Sequence, residues 1–497
     1  MNSRAPNAIA VARTAQDAWG AMSVGERVTA LAQLPRAIIR HADRITEVIG
    51  RENGKPRAEA LGHEVASAVA VARYYLEHAE EVLAARRIRQ KTSPLRSAVA
   101  TYRPHGVVLA IAPWNLPFII PFSQVLPALL AGNAVVLKPS ELTPGTGQLV
   151  GDIINAVGLP PGVCQVVTGD GQVAAELLSS RPDKVLFTGS VATGRAVMTA
   201  AAQFPIPVTL ELGGVDAAIV CEDADVEFTA SAIAWGATFN GGQACCSIER
   251  LIVAEPIADQ LLTRIEAKLA MIDTEADLAP PINARQQNTW RAHLSQATAS
   301  GLRVLPPPDP ASSVVSPALV TGGDLPTSED LCATAVWREE TFGPVVVATT
   351  FTTLDEAVAL HNDTRFGLTA SVFSGDVTAA RRVAERLKAG VVSINDVAAI
   401  LYSAPEIPWG GVGESGFGRA HGPEALIDAS WLHTVEYPAV GAFGPKRPWW
   451  YPYGPELESF FEALLPLADA RTTLSGLTKT PRIGSAAARM LARFSKN

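Results

Sequence analysis

Disulfide chemistry is the first thing this sequence does without. Its five cysteines, Cys164, Cys221, Cys245, Cys246 and Cys332, are odd in number and show neither the spacing of a disulfide framework nor the CxxC pairs of a zinc site. Reduced thiols, a cytoplasmic setting and no bound metal are therefore expected. Charge of one sign is also scarce. A net charge of −8 over 497 residues gives no general attraction for nucleic acid or for an anionic bilayer. The N-terminus has no apolar core of the kind a secretory signal carries, so the chain reads as mature from Met1. One long uncharged run does exist, from Gly106 to Leu137, but Pro113, Pro117, Pro121 and Pro127 interrupt it. Each removes a helix hydrogen bond, so buried strand, active-site loop and short helix are expected there rather than a membrane span. Internal repeats and low-complexity tracts are missing, and the sequon Asn362-Asp363-Thr364 reads as coincidence without a secretory signal.

What is present is apolar residue in quantity, 48% of the chain, enough at this length for two or three domains. Up to about residue 90 the chain reads as helical. Ser23-Val24-Gly25-Glu26 is a capping-box pattern, and a helical stretch ending near Asn53 is closed by Gly54 and Pro56. These helices are expected to form an arm or outer layer. From Val107 the texture changes to short apolar runs, GVVLAIAP, NAVVLKP, CQVVTGD and KVLFTGS, separated by helical stretches. That is the pattern of a parallel sheet with crossover helices, and this half reads as a nucleotide-binding domain. A second series follows from Ala217, with LIVAEP, PVVVATTF, TASVFSG and GVVSIND, and reads as a catalytic domain. VLPPPDPASS is expected as a surface loop, and Trp449 to Glu456 as the start of an extension.

Four groups of residues have chemistry in them. In Phe239-Asn240-Gly241-Gly242-Gln243-Ala244-Cys245-Cys246, two thiols follow a glycine-rich turn that lets backbone approach a ligand. A thiol near its reference pKa of about 8.5 needs nearby dipoles or a base to ionise at neutral pH, and by itself such a Cys also reads as a small buried hydrophobe. In Val208-Thr209-Leu210-Glu211-Leu212-Gly213-Gly214, one carboxylate sits in an apolar run. It suits a general base with a raised pKa, or a salt-bridged strand end. Asn115 of Pro113-Trp114-Asn115 ends a strand, as an oxyanion donor or as a turn residue bonding its own backbone. Lys138-Pro139-Ser140-Glu141 and the stretch from Phe187 to Gly194 each follow a strand, where α/β sheets hold nucleotides. The second has its glycines at Gly189 and Gly194, not in a GxGxxG fingerprint, and is either a pyrophosphate loop or an ordinary strand-to-helix turn.

In this order the motifs resemble the aldehyde dehydrogenase superfamily, over roughly Val11 to Pro438, with Glu339-Glu340-Thr341-Phe342-Gly343-Pro344 and the run Pro408 to Arg419 as further matches. The resemblance implies an α/β fold of two parallel-sheet domains, cofactor-binding and catalytic, plus a small oligomerisation β-element. Residues 1–86 and 104–213 would form the NAD-binding domain with its helical arm, 214–421 the catalytic domain, 87–103 and 430–438 the oligomerisation strands, and 439–497 a C-terminal extension. The implied activity is NAD(P)-dependent oxidation of an aldehyde to the acid. Cys245 would be the nucleophile, Glu211 the base that activates water to hydrolyse the thioester, and Asn115 an oxyanion donor beside the Cys245 N–H. The family pattern puts Lys138 and Glu141 at the adenosine ribose, Ser190 at the pyrophosphate, and Glu340 with Phe342 at the nicotinamide ribose. Trp114, Ser140, Thr188, Gly189 and Gly213 complete the cofactor set. Glu141 would accept from a 2′-hydroxyl and repel a 2′-phosphate, so NAD is expected over NADP, with use of both left open. Two departures bear on proton-relay and loop contacts: Val215 and Asp216 follow Gly213-Gly214 where Lys is usual, and Gln124 stands where many members have Lys.

By the same resemblance Leu116, Ile120, Phe239, Cys246 and Tyr402 line the aldehyde tunnel, which suits an apolar aliphatic or aromatic aldehyde better than an anionic one. The stretch Ser393 to Val397 and the run Gly418 to Gly422 look like the branch acting on fatty and aromatic aldehydes. A homodimer or homotetramer built on an edge strand at Leu432 to Tyr437 is implied. The basic tail, with Arg482, Arg489, Arg493 and Lys496 around Met490, Leu491 and Phe494, is expected to pack on the oligomer, with membrane-surface contact as the alternative. Two rival functions are a CoA-acylating dehydrogenase, which needs no water-activating base, and a catalytically silent protein of this fold.

Overall fold

The computed structural model describes residues 4–90, 96–307, 315–322, 328–439 and, beyond these, 453–455, 457–459, 461, 462 and 465. The C-terminal basic tail and most of the proline-rich loop lie outside the described residues. Contacts divide the chain into two units, Met1–Ala84 with Thr101–His433, and Ala85–Ala100 with Thr434–Asn497.

The first unit is built on two sheets. One takes β3 (Val107–Ile111), β4 (Ala134–Lys138), β5 (Cys164–Val166), β6 (Lys184–Thr188), β7 (Val208–Glu211) and β15 (Gly416–Phe417), in the order β15-β7-β6-β3-β4-β5. All its pairs are parallel except β15, which runs antiparallel to β7 with Gly416 opposite Glu211. The chain lays β3, β4 and β5 outward on one side, then returns to place β6 and β7 on the other flank of β3. That reversal opens a crevice at the carboxyl ends of β3 and β6, where such sheets hold ligands.

The other sheet takes β8 (Asp216–Val220), β9 (Ile248–Ala254), β10 (Arg303–Leu305), β11 (Ala318–Thr321), β12 (Val345–Phe351), β13 (Thr369–Phe373) and β14 (Val391–Ile394), in the order β10-β11-β12-β9-β8-β13-β14. Only β10 is antiparallel. β3, β4, β8, β9 and β13 are buried along their whole length, which is why β3, β4 and β8 read as mostly apolar runs rather than alternating ones. Arg250 on β9 is a cation inside this sheet's core. Its guanidinium donates to Val215 O, Leu360 O and His361 O and lies over the Trp337 ring, so its donors are satisfied without water. In a separate three-stranded sheet, β1 (Arg86–Arg89), β2 (Arg96–Pro104) and β16 (Ser430–Pro438) lie in that order, with the Arg96 guanidinium on the Glu436 carboxylate.

Local expectations hold where they rest on local physics. Ser23 and Glu26 form the reciprocal capping box, and the helix Ala42–Asn53 ends on Gly54 in the left-handed conformation. The uncharged run becomes β3, a loop, the fully buried helix Ile119–Leu130 and β4. The N-terminal helices keep exposed faces, as an outer layer does, while their inner faces enter the core. Trp19, Leu31, Leu34, Ile38, Ile45 and Tyr75 are fully buried and share one core with Phe118, Phe122 and Leu126. Trp19 Nε1 donates to Leu129 O at 2.9 Å, and buried Arg27 Nε to Leu130 O at 2.8 Å.

One glycine sets how closely two segments approach. A Cβ on Gly390, just before β14, would lie 1.6 Å from the backbone oxygen of Gly410. Gly390→Ala must move backbone, and overpacking of this kind costs about 1–3 kcal/mol or more. The expected result is a lowered Tm by differential scanning fluorimetry, against an unchanged Tm for Gly62→Ala, where a Cβ meets nothing within 4 Å.

Candidate active site

The turn that carries Cys245 is held by left-handed backbone geometry that glycine and asparagine tolerate best. Asn240, Gly241 and Gly242 have φ of 55°, 67° and 69° in succession. A Cβ on Gly241 would lie 2.2 Å from Ala279 O, and one on Gly242 2.1 Å from the Gly343 carbonyl carbon. The turn is thus pressed against the Glu340-Thr341-Phe342-Gly343 segment. Cys245 is partly exposed, whereas Cys164, Cys221, Cys246 and Cys332 are buried, so exposure singles out one thiol. Its pKa lies well above the ordinary thiol range because it is hydrogen-bonded to Cys246, because the surrounding protein withdraws its sulfur from water although the residue is partly exposed, and because Asp216 and Glu340 add negative potential.

Two side chains converge on this turn from the first sheet. Asn115, in the loop after β3, is 4% exposed and donates from Nδ2 to Gln243 O at 3.1 Å. Glu211, the last residue of β7, is 7% exposed, and neither carboxylate oxygen has a hydrogen-bond partner among the described residues. Burial raises its pKa well above the carboxylate range; Cys245 raises it further, and Arg419 opposes the shift. Beside Glu211 lies a cavity of about 20 Å³, room for about one water, bordered by Gln124, Thr209, Arg419 and Asp428. Gln124 Nε2 donates to Thr188 Oγ1 at 2.8 Å, so this position supplies a neutral carboxamide where a lysine was the more usual expectation. Asp216, the second departure, is wholly buried at the start of β8, accepts from Thr369 N and Oγ1, and has its pKa raised to about 7 by burial.

The residues expected to hold a dinucleotide gather around the crevice. Lys138 ends β4, and its Nζ lies 3.2 Å from Glu141, which is 53% exposed. Ser140 Oγ accepts from Leu142 N and shapes that turn. Gly189 follows Thr188 at the end of β6, and Ser190 caps the helix Val191–Ala202 through Thr193 N. The free first-turn N–H groups of that helix suit a pyrophosphate. On the facing side, Glu340 Oε1 accepts from Gly214 N at 3.2 Å and a Cβ on Gly213 would strike the same carboxylate; Phe342 meets Trp114 edge to face at 5.5 Å. Burial raises Glu340 to about 7. Leu116, Ile120, Phe239 and Cys246 belong to one buried cluster, against which Cys245 and Tyr402 pack. Tyr402 Oη lies 3.1 Å from Ser123 Oγ, and its ring packs on Trp409 and His421.

A sequence profile of the aldehyde dehydrogenase family matches residues 2–435. The chain belongs to this family. Among its relatives, a 4,4'-diapolycopene aldehyde oxidase from Methylomonas sp. is 40% identical over 447 residues, 88% of this chain and 81% of that protein. The peroxisomal aminoaldehyde dehydrogenase 1 of Pisum sativum is 36% identical over 453 residues, 87% of this chain and 86% of its own. A crystal structure of an NAD-dependent aldehyde dehydrogenase from Sinorhizobium meliloti shares the fold with a TM-score of 0.82 at 34% identity, covering 89% of this chain and 88% of that one. The fold is therefore that of the aldehyde dehydrogenases, α/β with the two parallel sheets read from the sequence.

Several residues that build this aldehyde dehydrogenase site went unread in the sequence. Glu249 on β9 is buried and accepts from Thr341 N and Phe342 N, which fixes the segment holding Glu340. Gln243 holds the Cys245 turn through Pro280 O and Ile282 N. Lys55 and Glu64 reach the Asn115 loop from the N-terminal helices. One signal was available. Glu64 stands at helical spacing among Ala60, Ala68 and Val71, a carboxylate in an apolar stripe, which requires a partner.

The hydrogen bond to Cys246 is the first cause of the raised Cys245 pKa, so removing it has a defined sign. Cys246→Ala is expected to lower the Cys245 pKa and to speed its alkylation by iodoacetamide at pH 7.5, read by peptide mass spectrometry. An unchanged or slower rate would show that burial alone sets the thiol.

Proposed function

We propose that this aldehyde dehydrogenase oxidises an apolar aldehyde to its carboxylic acid through a thioester on Cys245. The observation that carries the reading is a partly exposed thiol close enough to raise the pKa of a buried carboxylate that has no hydrogen-bond partner among the described residues. The Cys245 thiolate adds to the carbonyl carbon and leaves an oxyanion, for which Asn115 Nδ2 and the Cys245 N–H are the donors. NAD, when bound, supplies the acceptor for the hydride whose loss turns the adduct into the thioester. Glu211 then takes a proton from water, the hydroxide attacks the thioester carbon, and the acid leaves as the thiol re-forms. A carboxylate with a raised pKa and no competing hydrogen bond is a fitting base for that step. A CoA-acylating enzyme would have no use for it.

Lys138, Ser140, Glu141, Thr188, Gly189 and Ser190 are assigned to the adenosine and phosphate end of NAD, and Trp114, Gly213, Glu340 and Phe342 to the nicotinamide end. The crevice at the β3–β6 reversal, the exposed Glu141 and the N-terminus capped by Ser190 all support this. Leu116, Ile120, Phe239, Cys246 and Tyr402 are assigned to the aldehyde. Their apolar cluster, and a Methylomonas relative named for a diapolycopene aldehyde, accord with an apolar substrate. We assign 1–86 with 104–213 to cofactor binding, 214–421 to catalysis, and 87–103 with 430–438 to a homo-oligomer interface, in a cytoplasmic enzyme. The exposed Leu432, Val435 and Tyr437 on β16 support the interface. No helix among the described residues is long and apolar enough to cross a membrane.

NADH formation with straight-chain aldehydes of increasing length and with benzaldehyde tests the reaction. Cys245→Ala should fall to background, and Glu211→Gln should release one equivalent of NADH and stop. In the wild type the ionised base is required, so kcat should rise with pH through a pKa above the ordinary carboxylate range. Retained turnover in Cys245→Ala would sink the nucleophile assignment. For the cofactor, Glu141→Gln should narrow the NAD-over-NADP ratio of kcat/KM by about tenfold, ~1.4 kcal/mol, by removing a charge that repels a 2′-phosphate. An unchanged ratio would move that discrimination elsewhere.

A further inference from the structure

The loop that carries Asn115 is gripped by charged side chains that come from the N-terminal helices. Lys55 and Glu64 form an ion pair in which both side chains are 0% exposed. Lys55 Nζ also donates to Asn115 O at 3.0 Å. The second oxygen of Glu64 accepts from Phe118 N at 2.9 Å and Ile119 N at 3.0 Å. Those two N–H groups open the helix Ile119–Leu130, whose N-cap residue Phe118 has no side-chain cap of its own. Asn53 Nδ2 reaches Trp114 O at 3.4 Å. One ion pair therefore ties the peptide of Asn115 to the end of the loop, while Asn53 holds the residue before it.

The backbone that aims these groups is unusual. Ala60–Ala66 is π-helical, set between the helical turn Arg57–Glu59 and the helix Ser67–Val82. In an α-helix, residues five apart point about 140° away from each other. The wider π-turn brings them nearer to one face, and π-turns of this kind concentrate at functional sites. Here the two residues are Glu59 and Glu64. Glu59 Oε1 accepts from Asn240 N at 3.1 Å, and Asn240 Nδ2 in turn donates to Asn115 O and to Gln243 O. A single π-turn thus reaches both the Asn115 loop and the Cys245 turn.

We infer that the buried Lys55–Glu64 pair is the positioning element for the oxyanion donor, setting the peptide of Asn115 so that its carboxamide meets the charge that develops beside Cys245. The inference rests on the donor role proposed above for Asn115. Neither Lys55 nor Glu64 lies among the residues assigned to substrate or cofactor, so the pair works through Asn115. Burying two charges is costly, and the hydrogen bonds that both groups make to this loop offset part of that cost.

A double-mutant cycle tests this. Lys55→Met, and the double variant Lys55→Met/Glu64→Gln, are made in the wild-type and Asn115→Ala backgrounds. The rate of the first NADH turnover is followed by stopped flow, with Tm as the control for folding. In the wild-type background the acylation rate should fall at least tenfold, and thioester hydrolysis, which develops an oxyanion on the same carbonyl oxygen, should slow with it. In the Asn115→Ala background the same substitutions should cost less than twofold more. The double variant leaves no uncompensated carboxylate in the core, so it carries the test if Lys55→Met does not fold. Equal losses in both backgrounds would overturn the positioning role and leave Asn115 as donor. An Asn115→Ala enzyme that acylates at the wild-type rate would instead overturn the donor reading, and the inference with it. Failure of the double variant to fold would assign the pair to the fold alone, which also overturns it.

Discussion

A carboxamide-to-carbonyl bond, Asn115 Nδ2 to Gln243 O, is the point on which the site turns. It joins the loop after β3, which belongs to the first sheet, to the turn before β9, which belongs to the second. Gln243 is itself held at three backbone points, Asn240 O, Pro280 O and Ile282 N. The left-handed run Asn240-Gly241-Gly242 leaves that turn no alternative course. Once this junction is fixed, the end of β7 brings Glu211 alongside Cys245, and the packing of Gly242 on Gly343 brings Glu340 to Gly213. Chemistry that needs groups from two sheets is reduced to the placement of one peptide.

The site is unusually rich in carboxylates taken out of water. Burial raises Glu211, Asp216, Glu249 and Glu340 together, and some of them raise one another. Such groups work against the fold. The unfolded chain ionises them in the ordinary carboxylate range while the native state retains its protons until about pH 7 for Asp216 and Glu340, so their contribution falls as pH rises between those limits. Backbone donors limit the loss, as at Glu249, which accepts from Thr341 N and Phe342 N. The apolar cores of both sheets offset the rest.

How much was legible depended on the range of the interaction. The strands could be read because burial on both faces leaves mostly apolar runs, and the ends of the helices because caps are local. Cys245, Glu211 and Asn115 were each ambiguous alone and became readable only as an ordered set. The Lys55–Glu64 pair was not readable as a pair: nothing in the sequence brings either residue to the loop around Asn115. The π-turn between them leaves no compositional trace, since Ala60-Leu61-Gly62-His63 suits an ordinary helix. The N-terminal helices looked peripheral for the same reason, because the residues they contact lie far along the chain. β15 was hidden in a glycine-rich motif, since a two-residue strand has no periodicity to detect.

That short strand has a mechanical meaning. Glu211 is paired on one flank with Thr188 of β6 and on the other with Gly416 of β15. Its main chain is clamped from both edges, and any motion it makes belongs to its own side-chain torsions. Gly410 leaves that arc clear, since a Cβ there would come within 2.7 Å of Glu211 Oε1. The carboxylate thus hangs from an anchored main chain and borders the small cavity that Asp428 also lines, so whatever freedom it has is set by side-chain packing and not by the sheet.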